Sequence, residues 1–256
     1  MSSDQMPMTA GPDTAVVTGA AGGLGYRIGL SLMRAGHRVV FTDISADALD
    51  ALTWPDDVDS DMALTMTLDV TKKGDFERVL TDVLAQAGSV EILVNCAALT
   101  RTTPVFDISP EEFSQVMDIN LRSVFVGCQV FGAHFRSAGY GRIVNMASLA
   151  AQNGGTATGA HYAASKGGII TLTKVFAREL AGDGVTCNAI APGPLDVPLL
   201  RDILPGDKLA AMPGMIPTGS LGSPDFIGQI VSLMASREAG AMTGATVDAN
   251  GGLYVR

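Results

Sequence analysis

Tyr162 and Lys166 stand four residues apart in the block His161-Tyr162-Ala163-Ala164-Ser165-Lys166. The pattern predicts a helix there, so both side chains share one face. A phenol titrates near pH ~10, and a neighbouring ammonium stabilises the phenolate and draws that value toward working pH. The pair is a candidate proton donor and acceptor. Tyr and Lys at this spacing also occur on ordinary helix surfaces, so they do not define a site alone. Ser148 ends the expected strand GRIVNMAS (141–148), and strand C-terminal ends are where open α/β sheets bind ligands. Its hydroxyl is placed to orient a substrate oxygen toward Tyr162. Asn120 sits within a helical pattern, where an amide is an indifferent helix former. It either holds a water through its side chain or local backbone, or simply faces solvent.

A second constellation lies near the start of the chain. Thr18-Gly19-Ala20-Ala21-Gly22-Gly23-Leu24-Gly25 joins a β-branched run, TAVVT (14–18), to a helical stripe of Leu24, Ile28 and Leu32. The helix N-terminus offers unsatisfied N–H groups and a positive dipole end to an anion such as a pyrophosphate. Gly19 allows the tight turn, Gly23 the close approach of backbone to phosphate, and Gly25 close helix–strand packing. Asp43 ends the next strand 18 residues after Gly25, where a carboxylate accepts from a ribose diol and repels a 2′-phosphate. Neither Ile44 nor Gly22 supplies a cation for that phosphate. The expectation is NAD(H) rather than NADP(H); the alternative is that Asp43 only caps a helix starting near Ser45.

These groups need a scaffold, and the hydrophobic pattern predicts one. Strands are expected at 14–18, 38–43, 63–70, 91–97, 141–148, 185–192 and 245–250. Helices are expected between them, including long ones at about 110–138 and 160–181. Regular alternation of this kind predicts an α/β fold with one doubly wound parallel sheet and helices on both faces. We read residues 1–256 as a single Rossmann-type domain, with 1–12 as a flexible leader and the proline-rich 194–221 as a mobile substrate lid, although a core cover or subunit contact explains that loop equally well.

Composition narrows the partners. Of 256 residues, 47% are hydrophobic and 17% charged, enough apolar material for a large core. Seventeen basic against twenty-six acidic residues give a net charge of −9, which opposes nucleic-acid binding. The start lacks a signal-peptide pattern and no apolar run reaches membrane-spanning length, so a cytoplasmic protein is expected. Cys96, Cys128 and Cys187 read as buried free thiols. His37, His134 and His161 lack metal-ligand spacing, and no metal is assigned; His161 reads as a neighbour of Tyr162 without a role of its own.

The ordered set TGxxxGxG, Asn95, Asn120, Ser148, YxxxK and Pro192-Gly193 resembles the short-chain dehydrogenase/reductase family over nearly the whole chain. The resemblance implies an Asn120–Ser148–Tyr162–Lys166 tetrad, with Lys166 also binding the nicotinamide ribose and Asn120 anchoring a water in a proton relay. It further implies that Asp69 and Val70 border the adenine, and that Asn95 and Ala97 line the cofactor near its adenosine ribose. Leu24, Ile44, Pro192, Gly193 and Leu195 complete the implied cofactor contacts. Two local departures stand out: Asn95-Cys96-Ala97-Ala98 replaces the usual Asn-Asn-Ala-Gly, and Val197 aligns with a Thr that usually bonds the nicotinamide carboxamide.

The implied reaction interconverts a ketone and a secondary alcohol by hydride transfer. The segments AAQNGG, HYAASKGG and VDANGGLYVR are similar to those of bacterial 3-oxoacyl-carrier-protein reductases, which typically prefer NADPH, against the indication of Asp43. An NAD-linked secondary-alcohol or 3-hydroxyacyl dehydrogenase is therefore favoured, with a sugar or polyol dehydrogenase as the competing enzyme. A non-catalytic NADH-binding sensor is the reading from outside enzymology. The resemblance also implies a homotetramer on the two long helices, compatible with Phe125, Phe131, Phe135 and Phe176.

Overall fold

Seven β-branched and apolar segments pair side by side and parallel: β1 (Thr14–Thr18), β2 (Arg38–Asp43), β3 (Ala63–Thr67), β4 (Ile92–Asn95), β5 (Gly141–Met146), β6 (Val185–Pro192) and β7 (Thr246–Ala249). The computed structural model describes residues 11–155, 158–204 and 206–255. All but two residues of the expected leader fall outside that set. The sheet order is β3-β2-β1-β4-β5-β6-β7, so the winding reverses between β1 and β4 and opens a crevice at the strand ends there. Val16 pairs with Val40 on one side and Leu93 on the other.

Side chains alternate across the sheet with period two. Val16, Val40, Leu93 and Ile143 face a core shared with α3 (Lys73–Ala87), α5 (Ser123–Ala138) and α7 (Ala160–Leu180). Ala15, Val17, Phe41 and Val94 face the opposite core, beneath α1 (Gly23–Arg34) and α10 (Pro224–Ala235). Both faces are thus covered, as parallel sheets require. The remaining helices are short: α2 (Ala46–Asp50), α4 (Pro110–Met117), α6 (Ala150–Asn153), α8 (Pro198–Ile203) and α9 (Gly206–Met215).

The departures from expectation are local. The helix expected over 110–138 is interrupted by a π-helical turn at Asp118–Arg122, which joins α4 to α5. Residues 194–221 contain α8 and α9 rather than an open loop; α8 starts on Pro198, whose fixed φ suits a first helical turn. Phe131 and Phe135 are fully buried core residues, whereas Phe125 is 41% exposed. Cys128 and Cys187 are buried, but Cys96 is only half-buried.

Candidate active site

The chain leaves β1 through a turn that only glycine fits well. Gly19 has φ +66, and a Cβ there would lie 2.6 Å from the Ala97 Cα. A Cβ on Gly25 would meet the Gly19 carbonyl oxygen at 2.3 Å, so α1 rests directly on the turn. Gly23, at φ +54, faces open space. No side chain caps α1 and no acidic residue occupies its first turn, so its N–H groups and dipole end stay available to an anion.

These N–H groups open into a cavity of about 570 Å³ along the strand ends, a volume typical of small-molecule sites. Gly19, Gly23, Leu24, Gly25, Asp43, Ile44, Asp69, Val70 and Ala97 line one end of it, and Ser148, Tyr162, Lys166, Pro192, Gly193 and Leu195 the rest. At β2's end Asp43 accepts from the Ala21 and Ser45 N–H groups at 3.3 and 3.2 Å. It is not the cap of α2, because Ser45 Oγ accepts from Ala48 N–H in that role. Asp69 accepts from the Thr71 hydroxyl at 2.7 Å, which, with Lys72, keeps its carboxyl below the usual range.

Two expected residues stand elsewhere. Asn95 turns away from the cavity into the core, donating to Asn145 Oδ1 at 2.8 Å and lying against Gly127 of α5. Strand alternation sends it to the opposite face, a correction to the expected ribose contact. Asn120 is fully buried outside the cavity lining. Its Oδ1 accepts from Leu99 N–H at 2.7 Å, and its Nδ2 donates to Leu99 O and Ser165 Oγ at 3.0 and 3.1 Å. With both Nδ2 hydrogens given to these bonds, Asn120 ties the segment after β4 to α7. The π turn it occupies widens the helix, a distortion frequent at functional sites.

Tyr162 and Lys166 project from the first turns of α7 into the cavity, with Lys166 Nζ 5.7 Å from the Tyr162 ring centroid. The side chains of Ser148 and Thr100 lie close enough to the Tyr162 phenol to pull its pKa down. Thr100 was not foreseen: it lies in an irregular stretch after β4 where no periodicity marks it. Lys166 donates to Met146 O at 2.7 Å and is only 3% exposed. Burial holds the ammonium down at about 8. Burial also pushes the Tyr162 phenol up, against the opposing pull of Ser148 and Thr100. This reverses the expected direction: desolvation is the largest influence on the phenol, and Lys166 is not among the groups that pull it down. Cys96, also in the lining, is driven up to about 11 by burial and remains a thiol.

The arrangement joins an anion-receptive helix end, a carboxylate at the second strand's tip and a protonated phenol beside a serine hydroxyl. Residues 19–254 match the family profile described as enoyl-(acyl carrier protein) reductase. The chain is 36% identical over 239 residues to 2-dehydro-3-deoxy-L-rhamnonate dehydrogenase (NAD(+)) of Sphingomonas sp. strain SKA58, covering 93% of this chain and 94% of that one. It is 36% identical to the 3-oxoacyl-(acyl-carrier-protein) reductase of Vibrio cholerae, covering 94% and 97%. It is 33% identical to the (3R)-3-hydroxyacyl-CoA dehydrogenase of Canis lupus familiaris, covering 94% and 96%. The crystal structure of gox2181 superposes with a TM-score of 0.86 at 28% identity, covering 94% of this chain and 95% of that chain.

The chain belongs to the short-chain dehydrogenase/reductase family. It is an oxidoreductase of the carbonyl/hydroxyl couple that uses a nicotinamide cofactor. None of its described helices is long and apolar enough to cross a membrane.

Proposed function

We propose that the protein is an NAD(H)-dependent dehydrogenase that interconverts a ketone and a secondary alcohol, with Tyr162 as acid and base. The observation that carries the reading is that Ser148, Tyr162 and Lys166 line one cavity at the strand ends, with Lys166 Nζ 5.7 Å from the Tyr162 ring centroid. The free N–H groups of α1 and the open backbone at Gly23 suit a pyrophosphate. When bound, the nicotinamide supplies or accepts the hydride. Ser148 holds the substrate oxygen, and Tyr162 gives that oxygen its proton in reduction or removes it in oxidation. The raised phenol favours the donor role at neutral pH. Lys166, anchored on the Met146 carbonyl, would hold the nicotinamide ribose.

Asp43 and the exposed Ile44 beside it favour the ribose diol of NAD(H). Lys72, the residue following the cavity-lining Thr71, is held by Asp69 at 3.0 Å. The Sphingomonas relative is itself named for NAD(+). The test compares kcat/KM with NADH and NADPH. We expect NADH to win, and Asp43→Ala to lower that preference by about tenfold or more through loss of charge-assisted hydrogen bonds. A wild-type preference for NADPH overturns the assignment.

Residues 194–221 act as the substrate lid in this reading. A cytoplasmic homotetramer on α5 and α7 fits the outward placement of Phe125 and Val175, 41% and 45% exposed. A monomer in sizing chromatography removes that part alone.

A further inference from the structure

Beyond the reacting oxygen, the far end of the cleft differs in chemistry from the glycine turn. Leu149, Leu199, Leu200, Ile203, Leu204 and Met212 line it, most of them contributed by α8, α9 and the residues around them. Among the described residues, the charged ones in the lining are Asp43, Asp69 and Lys166. Two of these are anions, and Lys166 Nζ is engaged with Met146 O deep in the site.

The cations carried by the lid do not serve the cavity. Arg201 pairs with Asp196 at 2.8 Å, and both side chains are more than half exposed. Lys208, on α9, is outside the lining. Thr156, Ala157 and Pro205, which adjoin this part of the chain and lie outside the described residues, are not cations; the one Arg outside that set is Arg256 at the far end of the sequence. The neutral polar groups toward this end, Thr100, Asn153 and Thr158, provide hydroxyl and amide contacts without charge.

We infer that this end takes an uncharged ketone or secondary alcohol with an apolar body and rejects substrates bearing a carboxylate or phosphate there. The inference rests on the oxidoreductase reading above and adds the substrate class to it. An anion entering among these leucines loses its hydration and meets no cation among the described lining residues beyond the engaged Lys166, so it binds weakly or takes up a proton. The net charge of −9 opposes its approach as well. Apolar burial against the leucines drives binding of the neutral body instead.

A matched pair of ligands isolates the charge: 2-octanone and 7-oxooctanoate, a ketone and a keto acid of equal chain length. With NADH and the intact protein, kcat/KM should favour the ketone by about 30-fold or more. Binding is read separately by NADH-fluorescence titration of Tyr162→Phe, which keeps the cavity but cannot donate the proton. The same preference should appear there. Leu199→Arg, at a position 51% exposed and therefore tolerant of change, should shrink the ratio by about tenfold. Equal or tighter binding of the keto acid overturns the substrate class, as does failure of both ligands to bind. Ketone-selective binding without any wild-type turnover supports the class but sinks the catalytic reading.

Discussion

At the β1–α1 end of the cleft, backbone makes the site: Gly19 turns at positive φ against Ala97, and Gly25 brings the helix onto the turn. At the α8–α9 end, side chains make it, and they are less firmly held. Leu199 is 51% exposed, and no residue in α8 or α9 is buried. The first end can present the same N–H groups to any dinucleotide phosphate, because they belong to the helix terminus. The second end sets its selectivity by side chains that change without disturbing the sheet. In the proposed reading, cofactor handling and substrate choice fall on separate elements, with Tyr162 and Lys166 between them.

The most damaging break falls at that junction. Tyr162→Phe removes only the phenol hydroxyl beside Ser148 and Thr100, so turnover should fall by about 10² to 10⁴. NADH affinity, set mainly by the glycine end, should stay near normal in the same fluorescence titration. Near-normal activity would remove the assigned proton donor.

Lys166 gives a smaller effect with a definite sign. Burial lowers its ammonium from 10.5 to about 8, so below that pH it opposes folding by about 3 kcal/mol. The unfolded chain keeps the proton up to 10.5 while the folded one sheds it above about 8. Between those values the unfolded state binds more protons, and stability rises with pH. Lys166→Met lacks this dependence. In urea unfolding of the cofactor-free protein, wild type should therefore gain on the variant by about 3 kcal/mol across this window. A constant difference would show that the ammonium is not desolvated as its burial implies.

The same contrast explains what was legible in the sequence. Glycine spacing, strand ends and the YxxxK turn are local, and the residues they marked reach the cavity wherever strand parity agrees. Asn95 fails on parity: adjacent to lining residues in sequence, it faces the other side of the sheet and bonds Asn145. The expected fall in the Tyr162 pKa failed because desolvation depends on surroundings that spacing does not reveal. Thr100 and the cavity-lining residues of α8 and α9 belong to tertiary packing. Prolines marked that segment as irregular, yet Pro198 begins a helix and Pro213 lies within one.

His161 provides the mildest probe, because its effect must pass through Tyr162. It is fully buried, and its Nδ1 accepts from the Tyr162 N–H at 3.0 Å. Gly159, at the start of α7, has no side chain to cap the helix, so the imidazole satisfies one of the first-turn N–H groups. With Nδ1 accepting, Nε2 carries the proton and donates to Glu112 Oε1 at 2.7 Å, fastening α7 to α4. Far from idle, the residue is positioned to hold the first turn in register with Ser148. His161→Ala should lower kcat by about tenfold through misplacement of the phenol, while NADH affinity and the Asp43-dependent preference remain. His161→Asn, whose amide oxygen can accept a local backbone N–H, should recover part of the loss. If both variants lose kcat and NADH binding together, His161 supports the whole fold rather than the position of Tyr162.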